Sequence, residues 1–120
     1  MKVLVVDDES TMRRLAQYNL ELAGHVVLLA ETAEEGLALA RSETPDLILQ
    51  DVMLPGMDGF EALNELKSDS ATRGIPVVML TAKGQRSDVE QAIESGAAGY
   101  VTKPFDPTRF TKLVDEYGRP

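Results

Sequence analysis

Five short apolar runs recur along the chain, separated by stretches in which apolar residues return at helical spacing. The runs are "KVLVV", "HVVLL", "DLILQ", "PVVML" and "GYVTK". Short runs rich in Val, Leu and Ile are typical of strands covered on both faces, and their alternation with helices indicates βα units around a parallel sheet. The pattern therefore predicts an α/β fold with five strands and five helices.

The helical stretches carry start signals and apolar faces. "TAEE" at 32–35 has capping-box spacing, in which a hydroxyl caps one amide and a carboxylate reaches back to another. Apolar or small residues repeat at i, i+3, i+4 and i+7 in the predicted second and fifth helices. They are Ala33, Gly36, Leu37 and Ala40 in the second helix, and Phe110, Leu113, Val114 and Tyr117 in the fifth.

Polar side chains come directly after four of the five predicted strands. Asp7 and Asp8 follow the first strand, Asp51 the third, Thr81 the fourth and Lys103 the fifth, whereas the second is followed only by "LAE". Ligands of open α/β sheets bind beyond the carboxyl ends of the strands, where the winding reverses. The strand order 2-1-3-4-5 makes the ends of strands 1, 3, 4 and 5 contiguous. We therefore predict a flavodoxin-like (βα)5 doubly wound parallel sheet in this order.

Three of these side chains are acids that would crowd one crevice. Mutual repulsion and desolvation oppose the ionisation of Asp7, Asp8 and Asp51 together. A hard divalent cation relieves both problems, and Mg²⁺ prefers a few carboxylates together with water and a phosphate oxygen. The sequence predicts a Mg²⁺ site formed by these three residues.

Lys103 and Thr81 would supply the other half of a phosphoryl-transfer site. A phosphoryl group on an aspartate adds negative charge and acceptor oxygens, which an ammonium, a hydroxyl and a metal ion can neutralise. Carboxylates form aspartyl-phosphate intermediates, and Asp51 is the natural nucleophile among the three acids.

Length and charge narrow the function classes. A chain of 120 residues fits one domain, predicted here over 1–120. The formal charge of −8 opposes attraction to nucleic acid and to anionic lipid, so neither is an expected direct partner. The chain has no cysteine, and "VLVV" near its start is too short for a signal or membrane segment, so we expect a cytoplasmic protein.

Read in order, "VVDDE", "DLILQDVMLPGMDG", "VVMLTA" and "GYVTKPF" resemble the corresponding motifs of a response-regulator receiver domain of two-component signalling, over the whole chain. The resemblance implies that a histidine kinase or phosphotransfer protein phosphorylates Asp51. It also implies that Asp8 and Asp51 bind Mg²⁺ directly, Asp7 largely through water, and Met53 through its main-chain carbonyl. Beyond its own phosphorylation and dephosphorylation, no enzyme activity is expected.

The same resemblance implies a conformational switch. Thr81 and Lys103 would grip the phosphoryl group, and Tyr100 would rotate inward, changing the face formed by the fourth helix, fifth strand and fifth helix for a downstream effector. A half-buried structural role in the fifth strand is the alternative for Tyr100. Met53 and Lys83 lie two residues after Asp51 and Thr81. They are expected to set the phosphoryl lifetime, and a thioether at Met53 predicts slow hydrolysis because it orients water poorly.

Two rival functions share parts of this pattern. A haloacid-dehalogenase-type phosphohydrolase places a D-x-D motif after its first strand, where this chain has Asp7-Asp8-Glu9, and the chain is short for such a catalytic core plus cap. A flavodoxin binds a flavin phosphate after its first strand, and three acids there would repel it.

The chain could be a stand-alone regulator or a receiver domain excised from a larger regulator, and both alternatives stay open. The segment "AAGY" at 97–100 lacks the acids that winged-helix regulators commonly carry just before the switch residue, which argues against an output domain of that kind.

Overall fold

The computed structural model describes residues 1–82, 86–103, 106 and 108–117, and the side chains of these residues other than 82 and 86–88. Strands and helices alternate along the chain. The strands are β1 (Lys2–Val6), β2 (Val26–Ala30), β3 (Leu47–Asp51), β4 (Val77–Ala82) and β5 (Gly99–Lys103). The helices are α1 (Ser10–Leu22), α2 (Ala33–Glu43), α3 (Gly59–Ser68), α4 (Arg86–Glu94) and α5 (Arg109–Tyr117).

The strands form one parallel sheet in the order β2-β1-β3-β4-β5. Strand β1 lies inside the sheet, where Val3 pairs with Val27 of β2 and with Leu47 of β3. The winding reverses between β1 and β3, because the chain first builds outward to β2 and then returns to the other side of β1. The predicted fold class and strand order are both confirmed.

Alternate residues of each strand pack into two separate cores. Val3 and Val5 face a core that includes residues of α1 and α5, and Leu4 and Val6 face a second core with residues of α2, α3 and α4. All four side chains are fully buried. Successive side chains of a strand point to opposite faces, so a strand covered on both sides must be apolar throughout. This is why the strands read as continuous apolar runs.

The predicted helix faces are buried as expected. In α2 the buried residues are Ala33, Gly36, Leu37 and Ala40, and in α5 they are Phe110, Leu113 and Val114, with Tyr117 partly buried against the same core. Within the described ranges, no helix combines the length and apolar character needed to span a bilayer.

Side-chain caps fix where two helices begin. The Thr32 hydroxyl accepts a hydrogen bond from the Glu35 amide at 3.1 Å, and the Glu35 carboxylate accepts one from the Glu31 amide at 2.9 Å. The predicted capping box therefore forms, but the Glu35 carboxylate accepts from the amide of Glu31, one residue before the N-cap Thr32. Helix α3 is capped by Asp58, whose Oδ1 accepts from the Glu61 amide at 2.9 Å.

The carboxyl ends of the central strands bring the predicted site residues to one edge of the sheet. Asp51 and Lys103 are the last residues of β3 and β5, and Thr81 is the penultimate residue of β4. They were expected just after the strands, but the pairing continues through them, as in the pairs Thr81–Thr102 and Ala82–Lys103. Asp7 does follow β1, and its amide donates to the Ala30 carbonyl at 3.1 Å.

Candidate functional site

Three carboxylates meet at this edge of the sheet. Asp7, Asp8 and Asp51 each offer an oxygen, and these three oxygens lie within 4.8 Å of one another. Asp7 is 0% exposed and Asp51 is 4% exposed, whereas Asp8 is exposed to solvent. Two buried acids at this separation need a compensating charge, because burial and repulsion both disfavour their ionised forms.

Lys103 provides part of that compensation. Its Nζ lies 2.7 Å from Asp7 Oδ2, 3.3 Å from Asp51 Oδ2 and 3.5 Å from Glu9 Oε1. The ammonium therefore contacts both buried carboxylates at once. Among the described residues, Lys103 is the cation in contact with these carboxylates, and its single charge leaves Asp7, Asp8 and Asp51 with an excess of negative charge.

The pKa values of the site reflect this balance. Burial, followed by the negative charge of Asp7, raises the pKa of Asp51 from 3.8 to about 6, although Lys103 and the Met53 amide act in the opposite direction. Burial alone would lower the pKa of Lys103, but its hydrogen bond with Asp7 and the charges of Asp51 and Asp7 outweigh it, so that pKa is raised. Asp51 is thus ionised at neutral pH but more basic than an ordinary aspartate.

Main-chain amides hold the buried carboxylates in place. Asp7 Oδ1 accepts from the Glu9 amide at 2.9 Å, and Asp51 Oδ1 accepts from the Met53 amide at 3.1 Å. In both residues the other oxygen contacts Lys103. Each carboxylate is therefore fixed at both oxygens, and fixed groups of this kind lose little entropy when they bind a ligand.

This arrangement suits a hard divalent cation. The donor set consists of carboxylate oxygens, which Mg²⁺ prefers, and the excess negative charge gives a cation an electrostatic reason to bind. Asp7, Asp8 and Asp51 are the residues that would hold it. The expected participation of the Met53 carbonyl stays a prediction.

A cavity of about 330 Å³ opens from the acidic cluster to solvent. It is lined by Asp8, Glu9, Asp51, Met53 and Lys103. Of these, Met53 has a side chain that is 67% exposed. A molecule that enters this cavity would pass the Met53 thioether before it reaches the Asp51 carboxylate.

The predicted switch residues lie on neighbouring strands. Thr81 is fully buried, and its hydroxyl donates to the Val101 carbonyl of β5 at 3.4 Å. Tyr100 pairs with Met79 across β4 and β5, and 41% of it is exposed. Lys83, the second residue expected to tune the lifetime, lies outside the described residues.

Gly59 brings the first turn of α3 against the backbone of Asp51. A Cβ at this position would lie 2.2 Å from the Asp51 carbonyl oxygen and 2.7 Å from Val52 Cα. The Gly59 amide donates to the Val52 carbonyl at 3.0 Å. Only glycine allows this approach, so the α3 start supports the end of β3 directly.

Three residues at or behind the site were not predicted from the sequence. Glu9 contacts Lys103, Gly59 supports Asp51, and Arg13 donates from Nη1 to the Asp7 carbonyl at 2.8 Å. In the sequence, the feature that points to Arg13 is a basic residue near the start of a helix that begins shortly after the acids at the end of the first strand. For Gly59 it is the residue type itself, because glycine is used where the backbone has to be approached closely.

Known proteins share both the sequence and the fold. The family described as response regulator receiver domain matches residues 3–115. PilH of Pseudomonas aeruginosa is 40% identical over 114 residues, which cover 95% of this chain and 94% of PilH. The chemotaxis protein CheY4 of Vibrio cholerae superposes with a TM-score of 0.90 at 33% identity, over 97% of each chain.

Longer regulators match equally well over part of their length. The alkaline phosphatase synthesis transcriptional regulatory protein PhoP of Bacillus subtilis is 47% identical over 113 residues, covering 94% of this chain. The chain spans only 46% of the length of PhoP. The family match, the relatives and the strand order agree, and the chain belongs to the response regulator receiver domain family of two-component signalling.

Proposed function

We propose that this protein is a phosphoacceptor switch, in which Asp51 accepts a phosphoryl group from a histidine kinase or a histidine phosphotransfer protein. One observation carries the proposal. The Asp51 carboxylate lines an open cavity and is held 3.3 Å from the Lys103 ammonium, beside Asp7 and Asp8. A nucleophile, a cationic group and a candidate metal site thus converge at one point.

The residues support an in-line transfer with Asp51 as the nucleophile. A carboxylate oxygen of Asp51 forms the new bond to phosphorus while the bond to the donor nitrogen breaks, and the donor keeps the electron pair. With a pKa of about 6, the Asp51 carboxylate is ionised at neutral pH and can therefore act as a nucleophile. Lys103 is close enough to neutralise charge on the phosphoryl oxygens.

Magnesium dependence is part of the proposal. Asp7, Asp8 and Asp51 would hold Mg²⁺, which would offset the negative charge of the cluster and allow an anionic phosphodonor to approach. The cluster is suited to this because, in the described part of the chain, Lys103 is the cation that contacts both buried acids, and one ammonium cannot balance three carboxylates.

Incubation with acetyl phosphate tests the proposal directly. The wild-type protein should gain the mass of one phosphoryl group in the presence of Mg²⁺ and none after treatment with EDTA, as measured by intact-protein mass spectrometry. Asp51→Asn should gain none in either condition. An equal mass gain in Asp51→Asn would contradict the assignment of the nucleophile. An equal mass gain of the wild type with Mg²⁺ and with EDTA would contradict the assignment of the metal.

We further propose that phosphorylation changes the face formed by α4, β5 and α5. Movement of the buried Thr81 hydroxyl from Val101 toward the phosphoryl group would open space beside β5, into which Tyr100 can turn. A partner that binds one arrangement of this face would then respond to phosphorylation.

Amide NMR with beryllofluoride as the phosphoryl mimic is expected to show shift changes through residues 87–110. Asp51→Asn treated in the same way is the control and should show none of these changes. Shift changes confined to the residues around Asp7 and Asp51 would leave Tyr100 a structural residue of β5.

The domain organisation, the place of action and the effector are further parts of the proposal. Receiver domains are signalling modules, and we propose that residues 1–120 form a single such domain without turnover of an external substrate. A cytoplasmic place of action is included because a reducing compartment suits a chain without cysteine. An effector would bind the α4-β5-α5 face, either as a separate protein or as a further domain.

Met53 is proposed to slow the loss of the phosphoryl group. Its exposed side chain lines the cavity that leads to Asp51, where a hydrolytic water has to be positioned. A thioether is a weak hydrogen-bond acceptor and orients water poorly, whereas an amide side chain can do so. Lys83 is also expected to favour a long lifetime. Its charged ammonium can hold a phosphoryl oxygen but cannot accept a proton from the hydrolytic water.

Met53→Asn is expected to shorten the lifetime of the phosphorylated protein about tenfold, which corresponds to about 1.4 kcal/mol of barrier. Release of radiolabelled phosphate from the purified phosphoprotein, without kinase, measures the rate. Met53→Leu keeps an apolar side chain of similar size and should decay like the wild type. Unchanged or slower decay in Met53→Asn would show that this side chain does not control the water.

A further inference from the structure

Arg13 lies behind the acidic cluster and is largely shielded from solvent. Its side chain is 14% exposed, on the second turn of α1. Nη1 donates to the main-chain carbonyl of Asp7 at 2.8 Å, and Nη2 forms an ion pair with Glu31 Oε1 at 3.3 Å. The guanidinium therefore joins the loop after β1 to the residue that follows β2.

The contacts of Arg13 complete the fixation of Asp7. The Asp7 amide donates to the Ala30 carbonyl at 3.1 Å, so both main-chain polar groups of Asp7 are engaged. Glu31 is itself held, because its amide donates to the Glu35 carboxylate at 2.9 Å. Arg13 is thus anchored at one end to the start of α2 and grips the peptide group that leads from Asp7 to Asp8 at the other.

We propose that Arg13 is a positioning residue for the Mg²⁺ site, an inference that rests on the proposed function. By holding the Asp7 carbonyl, it sets the direction in which the Asp7 and Asp8 side chains leave the main chain. The planar guanidinium can serve the carbonyl and Glu31 at once through two nitrogens, whereas an ammonium has no such fixed fork. Groups that orient metal ligands from behind affect metal affinity without touching the metal.

The sign of the effect separates positioning from simple charge. Arg13 is a cation close to a predicted cation site, so by Coulomb repulsion alone its removal should strengthen Mg²⁺ binding. If Arg13 orients the ligands, its removal should weaken Mg²⁺ binding in spite of that gain. A purely structural residue would lower the stability of the EDTA-treated protein and leave the affinity for Mg²⁺ unchanged.

Titration of EDTA-treated protein with MgCl₂, followed by amide NMR shifts, is the test. Arg13→Gln is expected to weaken binding about tenfold, the lower end of the effect of groups that orient metal ligands. Arg14→Gln removes the same charge from the next residue of α1, which is exposed, and should bind within about twofold of the wild type. Thermal unfolding in EDTA, measured in parallel, confirms that each variant is folded.

Two other variants keep the inference open to contradiction if Arg13→Gln does not fold. Arg13→Lys keeps the charge but loses the fork, and Arg13→Met keeps the aliphatic stem but loses both contacts, so both should bind Mg²⁺ more weakly than the wild type. Wild-type affinity in Arg13→Gln, or in both other variants, would overturn the positioning role alone. A wild-type protein that binds no Mg²⁺ would overturn the proposed metal site and this inference with it.

Discussion

Gly59→Ala is expected to lower the free energy of unfolding by about 3 kcal/mol, at the upper end of the usual cost of overpacking. The added Cβ would meet main-chain atoms, 2.2 Å from the Asp51 carbonyl oxygen and 2.7 Å from Val52 Cα. Main-chain atoms in a sheet cannot move aside as a flexible side chain can. Either the start of α3 or the end of β3 has to shift.

The same substitution should slow phosphorylation of Asp51 about a hundredfold, since a displacement near 1 Å has effects of this order on a positioned reaction. Urea unfolding and the initial rate with acetyl phosphate at saturating Mg²⁺ measure the two effects. Gly74→Ala is the matched control, because nothing in the described part of the chain lies within 4 Å of a Cβ there. A Gly59→Ala protein as stable as this control would show that the contact relaxes at no cost.

Asp51→Asn is expected to stabilise the EDTA-treated protein by about 3 kcal/mol at pH 7.5, the equivalent of a pKa raised from 3.8 to about 6. Burial and the neighbouring Asp7 charge make the ionised Asp51 carboxylate less stable in the folded protein than in the unfolded chain. The neutral amide of asparagine avoids that penalty while keeping the shape of the side chain.

The pH dependence follows from the direction of the shift. Because the folded pKa lies above the unfolded one, the favourable contribution of neutral Asp51 is fully present below about pH 3.8 and is lost as the pH rises through about 6. Urea unfolding of both proteins from pH 3.5 to 7.5 should show the stability difference growing across this range. Equal stability of the two proteins at pH 7.5 would mean that Lys103 fully compensates the Asp51 charge.

The fold could be predicted because its main determinants are local in the sequence. Continuous apolar runs such as "KVLVV" indicate strands covered on both faces, and β1 indeed divides its side chains between two cores. The position of polar groups at the ends of strands 1, 3, 4 and 5 selected the strand order. The exact ends of the strands were harder to predict. Whether the strand pairing stops before or after Asp51 depends on its partner in β4, which the local sequence does not report.

The meeting of four predicted side chains at one edge of the sheet could be inferred from the sequence, but their contacts could not. Asp7, Asp8, Asp51 and Lys103 meet because parallel strands end at the same edge. The closer approach of Lys103 to Asp7 than to Asp51 depends on how a long side chain crosses the sheet edge, which sequence spacing does not report. Arg13 was missed for the same reason, since its partners are a main-chain carbonyl and a residue 18 positions away.

Under the proposed function, Lys103 would couple the binding of Mg²⁺ to the phosphorylation of Asp51. Its ammonium is shared between Asp7 at 2.7 Å and Asp51 at 3.3 Å, so a cation bound by these carboxylates would weaken both contacts and leave the lysine available to a phosphoryl oxygen. A phosphoryl group on Asp51 would draw the lysine away from Asp7 and leave that carboxylate to the cation. If each event favours the other in this way, thermodynamic reciprocity requires the two effects to be equal in size. Under the proposed function, this one shared side chain would make the cellular Mg²⁺ concentration an input to the phosphorylation equilibrium of Asp51.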